Sequence, residues 1–344
     1  MRVLIVDDDP IAVEMLRDTL ADAGHDVTTA SDGRAALASL DADPCQVVIT
    51  DWEMPGMNGI ALCREVRRRS SLGYVYVVLL TGHGTTAERI EGLSAGADDF
   101  VTKPFEPDEL TARLQSAERI LSLETRDVAI FAMAKLAESR DTDTGSHLER
   151  VQNYSRILAQ QLLAMNKHTD EIDAEFVRLV YSTSPLHDIG KVGIPDSVLL
   201  KPGRLSDREF QIMKTHTTIG ARTLDAAMAK FPKTPFLRMA RDIAAAHHER
   251  WDGDGYPAGL AGADIPLAAR IVAVADVYDA LSSRRVYKDA FAHDIARSII
   301  VKDSGTHFDP DIVEAFVAAE QAFVAVRERY GGDAASSAAA AQAA

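Results

Sequence analysis

"VLIVDDD", Val3–Asp9, decides the first half of the chain. Four apolar residues in an unbroken run, stopped by three carboxylates, read as a short buried strand that ends in a charged loop. The pattern returns in "QVVIT" (Gln46–Thr50) and "VYVVLL" (Val75–Leu80), with helical stretches such as Ile11–Ala23 and Gly33–Leu40 between. Strand alternating with helix predicts an α/β domain, a parallel sheet with helices on both faces. In such a sheet, functional groups gather beyond the carboxyl ends of the strands. Asp7, Asp8 and Asp9 end the first strand, Asp51 the third and Thr81 the fourth, and Lys103 follows the fifth. Clustered carboxylates repel one another unless a cation sits among them, and oxygen ligands of this kind suit Mg²⁺. A lysine beside them would pair with an oxyanion. For a single aspartate, a solvated loop explains enough. For charged groups on successive strand ends it does not.

The chain has 344 residues, 47% of them hydrophobic, enough for two domains with sizeable cores. A net charge of -15 argues against a general binder of DNA or of membrane surfaces. It permits an anionic substrate, because a metal cluster reverses the field locally. Cys45 and Cys63 stand in no ligand spacing and read as reduced thiols. The first ten residues lack the long apolar core of a signal peptide. No run approaches the roughly 18 apolar residues of a membrane span. The expected location is cytoplasmic. The end, "GGDAASSAAAAQAA", has little to bury, so 330–344 reads as a disordered tail.

From Asp108 to Arg140 there is no glycine or proline, so one helix of about 50 Å is expected. Leu110, Leu114, Ala117 and Leu121 follow a 4-3-4 spacing, which Val128 and Phe131 resume. The first half suits a helix packed on the sheet and the second a dimerising or signal-carrying extension. The expected division is 1–120, a connector at 121–140, and a second domain at 141–329.

That second domain reads as all-helical, with helices at Ala129–Arg140, His147–Ala164, Glu175–Leu186, Asp207–Lys214, Thr218–Ala229, Arg238–His247, Ala268–Leu281 and Asp311–Arg329. No compact basic DNA-reading unit is visible. His147 opens a helix, "LHDIGKVGIPD" (Leu186–Asp196) holds His187, Asp188 and Lys191, and "MKTH" ends in His216. His247 and His248 follow an alanine run, and Asp276 sits inside the apolar "IVAVADVYDAL". A carboxylate isolated in such a run is costly to bury, and metal is a natural partner. His and Asp ligands without cysteine suit Fe, Mn or Zn. Adjacent helical residues point about 100° apart, so His187 and Asp188 serve one cluster only where the helix ends. There a bridging carboxylate can touch two metals, which together clamp the oxygens of a phosphodiester. Lys191 adds a cation for an anionic oxygen. A lone buried histidine is usually just hydrogen-bonded; five of them with two aspartates and a lysine form a different pattern.

Both halves resemble known families. "VDDD", "DWEMPGMNG", "LLTG" and "VTKPF" resemble the response-regulator receiver domain. The resemblance implies a flavodoxin-like five-stranded sheet and Asp51 as phosphoryl acceptor. It implies Mg²⁺ held by Asp8, Asp51 and the Glu53 carbonyl, with Asp7 helping through water. Thr81 and Lys103 would bind the phosphoryl oxygens, and Phe100 would be the aromatic switch. A sensor histidine kinase is the implied partner. "TGSHLERV", "HDIGKVGIPD", "HHERWDGDGYPAGL", "ARIVAVADVYDAL" and "SGTHFDP" resemble the HD-GYP phosphodiesterases, a branch of the HD hydrolases. That implies metal-dependent hydrolysis of cyclic di-GMP to linear pGpG, or on to GMP. The implied ligands are His147, His187, Asp188, His216, His247, His248 and Asp276, holding two or three divalent metals, Fe or Mn. Lys191 would orient substrate or hydroxide, and Arg285 and Lys288 would bind substrate phosphates. Gly255, Tyr256 and Pro257 would shape the pocket and offer a surface to GGDEF-domain partners.

The chain departs from the family at Asp143, where members with three metals carry glutamate, and at Val286, where proline is common. The shorter Asp143 makes a third metal weak or absent. His307 and Asp309 read as structural, and His25, His83, His168 and His293 fit no cluster. The alternative from another class is a nucleotide sensor or adaptor that docks a diguanylate cyclase. The retained ligands and Lys191 argue against it, since an adaptor has no need of them.

Overall fold

The computed structural model describes residues 1–69, 74–82, 85–140, 146–283 and 290–330. Two compact units divide between Val128 and Ala129, inside the span expected as connector.

The first unit runs β1 (Arg2–Val6), α1 (Pro10–Asp22), β2 (Asp26–Ala30), α2 (Gly33–Ala42), β3 (Val47–Asp51), α3 (Gly59–Arg68), β4 (Tyr76–Thr81), α4 (Thr86–Ala95), β5 (Asp99–Thr102) and α5 (Pro107–Glu138). The strands pair in parallel in the order β2-β1-β3-β4-β5, the flavodoxin-like order. β1, β3 and β4 lie inside the sheet and are buried almost throughout, hence their unbroken apolar runs. β2 and β5 are edges, and their sequences DVTTA and DFVT are correspondingly more polar. Asp9 is spent on structure: its side chain accepts from the Ile11 amide and caps α1, with Pro10 at the first helical position. Leu110, Leu114, Ala117 and Leu121 are buried in the core beneath the sheet, so the first half of the heptad pattern is a receiver-type packing face.

The second unit is helical throughout its described residues. It comprises the last turns of α5, then α6 (His147–Ala164), α7 (Ala174–Thr183), α8 (Asp196–Leu199), α9 (Asp207–Lys230), α10 (Pro235–Ala246), α11 (Leu267–Ser282), α12 (His293–Lys302), α13 (Pro310–Ala318) and α14 (Glu320–Tyr330). Short 3₁₀ turns stand at Ser184–Leu186 and Ile189–Gly193. α11 is apolar nearly all round and forms the axis of the core. Tyr154 of α6, Tyr278 of α11, Phe316 of α13 and Phe323 of α14 lock around it, with centroids 4.5 to 5.4 Å apart. No helix among the described residues is long and apolar enough to cross a membrane.

α12 was not expected, the helix expected at Glu175–Leu186 ends at Thr183, and two further spans differ. His216 does not end a helix; α9 runs straight through it. The threonines beside His216 turn their hydroxyls back onto the helix, Thr215 to Ile212 O, Thr217 to Lys214 O and Thr218 to Thr215 O, and so fit within it. The span Asp311–Arg329 breaks at Ala319 into α13 and α14. The break lets Phe316 and Phe323 both reach Tyr278. The tail from 331 onward lies outside the described residues.

One glycine sets the spacing of the second unit. A Cβ on Gly190 would fall 1.9 Å from the His216 carbonyl oxygen and 2.5 Å from the Gly220 nitrogen. The turn after His187 and Asp188 therefore rests on the bare backbone of α9. Gly190→Ala must push the two apart, at a cost of about 1–3 kcal/mol by the usual scale of overpacking. Thermal or urea unfolding should show that loss, together with reduced metal content although no ligand is changed.

Candidate active site

The second unit assembles its histidines and aspartates from five elements. Pro185 ends α7, because its ring cannot continue the helix, and the chain passes into 3₁₀ turns around His187 and Asp188. Freed from helical spacing, the two neighbours converge. Asp188 Oδ1 faces His216 Nε2 at 3.2 Å and His247 Nε2 at 3.7 Å. Its Oδ2 faces His187 Nε2 at 3.3 Å and Lys191 Nζ at 2.8 Å. On the far side of His187, Asp276 Oδ1 lies 4.0 Å from His187 Nε2 and 3.7 Å from His147 Nε2. Two sets of donor atoms result, each within 4.8 Å of one another: Asp188, His216, His247 and His248, and His147, His187 and Asp276. Asp188 touches both sets.

The rings are held from behind. His187 Nδ1 donates to Ser184 O at 2.8 Å, His216 Nδ1 to Met213 O at 2.8 Å, and His247 Nδ1 to Ile243 O at 3.0 Å. A carbonyl only accepts, so each Nδ1 carries a proton and Nε2 is the nitrogen turned toward the cluster. His147 Nδ1 reaches the Asp279 carboxylate at 2.8 Å instead. Asp279 is buried and paired with the Arg150 guanidinium, 2.5 Å from Nε to Oδ1. This carboxylate behind a histidine is the arrangement that orients metal-binding imidazoles.

The electrostatics fit a cation. Burial opposes charge on His187, but Asp188 and Asp276 outweigh it and raise its pKa to about 9. Burial lowers His216 to about 4. Burial, then His247 and His216, hold His248 well below the usual imidazole range. Burial would raise Asp188, yet Lys191 and His187 hold it well below the usual carboxylate range. His187 Nε2 and Asp188 Oδ1 are buried with no hydrogen-bond partner among the described residues, although ring nitrogens stand close by. Unsatisfied buried atoms of this kind are rare, and a divalent ion among these His and Asp donors satisfies both.

"HHERWDGDGYP" folds tightly over this site. Glu249 is buried, and its carboxylate accepts from the amides of Ala258 and Leu260 at 2.7 and 3.1 Å, tying down the loop. A Cβ on Gly255 would fall 2.4 Å from the Arg250 nitrogen, so only glycine fits. Tyr256 stacks on His248, centroids 4.7 Å apart, and Pro257 is exposed. His307 stacks on Phe308, and Asp309 caps α13 and pairs with the buried Arg270 at 2.6 Å; neither joins the cluster. Asp143, Arg285 and Lys288, with His83 and Val286, lie outside the described residues.

The first unit gathers its own acids. Asp7, Asp8 and Asp51 bring carboxylate oxygens within 4.8 Å of one another. Lys103 Nζ lies 2.7 Å from Asp7 and 2.8 Å from Asp51. Burial raises the Asp51 carboxyl, with Lys103 working against it; burial opposes the Lys103 ammonium, but both aspartates overcome this and raise it. Thr81 is buried at the end of β4, and Glu53 is exposed just past Asp51. Phe100 is half-buried against α4, where a Cβ on Gly92 would sit 2.5 Å from its ring.

Sequence reasoning overlooked four groups. Asp279 and Arg150 lie three residues after Asp276 and His147, on the same helical faces, and could have been found by that spacing. Glu249 hides in an acid-rich loop. Glu138, at the end of α5, lines a small cavity with His147, Asp188 and Lys191, and burial raises its pKa. No local signal marks it.

The fold and site define a response regulator whose output is a helical hydrolase-type domain. Residues 3–115 match the response regulator receiver domain and residues 132–312 the HD domain. A probable cyclic di-GMP phosphodiesterase of Vibrio cholerae is 38% identical over 96% of this chain and 80% of its own length. The cyclic di-GMP phosphodiesterase response regulator RpfG of Xanthomonas campestris is 37% identical over 92% of this chain and 87% of its own. A cyclic di-GMP phosphodiesterase of Thermotoga maritima is 35% identical over 96% and 93%. The chain belongs to the HD domain family, in the HD-GYP branch that carries an N-terminal receiver.

Asp279→Asn keeps the size of the group but removes the charge behind His147. Loss of such a partner typically weakens metal binding 10–100-fold. Competition with a chelator should show that drop for part of the bound metal, with the fold intact by circular dichroism.

Proposed function

We propose that this chain hydrolyses cyclic di-GMP at the His and Asp cluster, under control of phosphorylation at Asp51. The observation that carries the reading is Asp188, which groups with His216, His247 and His248 through one oxygen and faces His187 of the second group at 3.3 Å through the other, with Lys191 alongside. His147, His187 and Asp276 would hold one divalent ion, and His216, His247 and His248 another, with Asp188 common to both. Iron or manganese suits this donor set. Such a pair, when bound, supplies Lewis acidity and lowers the pKa of water. Lys191 would meet an anionic oxygen of the diester, and Arg285 and Lys288 would bind its phosphates. Asp143, shorter than glutamate, would leave a third ion weakly held. The product is linear pGpG, or GMP if a second bond is cut.

In the receiver, Asp8, Asp51 and the Glu53 carbonyl would bind Mg²⁺, with Asp7 behind them. The Asp51 carboxylate would attack a phosphoryl group supplied through a sensor histidine kinase. Thr81 and Lys103 would then close on the new charge, and Phe100 would follow. Val128, Met133 and Leu136 of α5 are each about two-thirds exposed, which supports a dimer through the connector, 121–140. The exposed Pro257 suits a docking role toward GGDEF-domain proteins. The adaptor alternative is disfavoured by the cost of keeping two aspartates and five histidines packed together for no chemistry.

His187→Ala or Asp188→Ala should abolish turnover of cyclic di-GMP, by a factor of at least about 1,000 if the metal pair supplies the nucleophile, while leaving helical content near wild type. Either variant retaining full turnover with metal loaded would remove the assignment. Asp51→Asn should block labelling by acetyl phosphate with Mg²⁺; stoichiometric labelling of that variant would place the acceptor elsewhere.

A further inference from the structure

At the rim of the cluster an aromatic row leads outward from a ligand histidine. Tyr256 stacks on His248 with an interplanar angle of 26°. Phe210 meets Tyr256 nearly edge-on, at 6.3 Å and 78°. Lys214 Nζ sits in the corner between these rings, 4.9 Å from each centroid. Phe210 and Lys214 are four residues apart on α9 and so share a face; His216 stands one half-turn further on. Phe210 leaves 44% of its surface to solvent. Among the described residues no carboxylate pairs with Lys214. A cation steadied by two aromatic rings, with no anion beside it and an open ring at its side, is equipped to receive a flat, electron-rich group.

We infer that Phe210, Tyr256 and Lys214 form a base-reading corner that takes one guanine of the cyclic dinucleotide and favours guanine over adenine. This rests on the phosphodiesterase reading above and adds the specificity element to it. Aromatic rings stack on any base and give affinity without choice. Choice comes from the edge: guanine presents O6 and N7, two acceptors that suit an ammonium, whereas adenine places an N6 amino donor where O6 would be. The corner adjoins His248, so a base held there belongs to the same nucleotide whose phosphate lies over the cluster, or to its neighbour in the ring. Lys214 thus differs in kind from Arg285 and Lys288, which the proposal above gives to the phosphates.

The test uses the metal-loaded full chain, with kcat and KM for cyclic di-GMP, and turnover or competitive inhibition constants for cyclic di-AMP. Lys214→Met should raise KM for cyclic di-GMP about 10-fold with a smaller change in kcat, and weaken cyclic di-AMP far less, so that the guanine preference collapses. Lys214→Arg, which keeps a cation, should retain the preference. Phe210→Ala should weaken both dinucleotides alike, and Phe210→Trp should restore them. Metal content is measured for every variant, and the comparison between the two dinucleotides holds at any loading. Equal losses on both dinucleotides in Lys214→Met would mark a phosphate contact and overturn the inference. So would an unchanged KM for cyclic di-GMP in both Lys214→Met and Phe210→Ala. If the wild-type chain neither binds nor cleaves cyclic di-GMP, the phosphodiesterase reading itself fails, and this inference falls with it.

Discussion

Asp188 is a carboxylate flanked by imidazoles on both sides and by an ammonium. Its two oxygens face different partners, His216 and His247 on one side and His187 and Lys191 on the other. Drawing so many polar groups out of water is expensive, and the helical unit is arranged to offset that cost. α11 supplies an apolar axis, the aromatic ring set of Tyr154, Tyr278, Phe316 and Phe323 fixes α6, α13 and α14 around it, and Gly190 brings the Asp188 turn onto α9. The chemistry is thus held at the junction of elements whose stability comes from elsewhere in the core.

The receiver solves a related problem with opposite means. Its three acids lie at strand ends, and Lys103 already supplies a counter-charge to two of them. The site is a balance between burial, which favours a neutral Asp51, and Lys103, which favours its ionised form. Adding a phosphoryl group to Asp51 changes the anion that Lys103 faces. The receiver would therefore respond to one modification, whereas the helical cluster would work only with several side chains in place at once.

Much of this was legible in the sequence because burial leaves strong marks. The inner strands β1, β3 and β4 read directly as apolar runs, while the edges β2 and β5 carry fewer buried side chains and gave only a weak pattern. α6 was read to the residue, since its apolar positions keep a helical period. The pair of helices expected on either side of His216 proved to be one, in which the threonine hydroxyls bond back to the preceding turn. The clustered histidines and acids were legible because such residues in apolar surroundings are unusual. Asp279 and Glu138 were not, because an acid that supports a ligand looks like any other acid until the fold brings it near. Asp143, Arg285 and Lys288 rest on motif position alone.

The histidines differ in what anchors them, and this bears on how the site would tolerate mutational drift. His187, His216 and His247 are each aimed by a main-chain carbonyl three or four residues earlier. No side-chain replacement nearby deletes a carbonyl; only an insertion, a deletion or a shifted turn can. His147 is aimed by a side chain, Asp279, which a single base change can remove. The half of the cluster built on His216 and His247 is therefore robust to substitution and fragile to changes of length. The half that includes His147 is exposed to both, and a lineage losing this activity would be expected to fail there first.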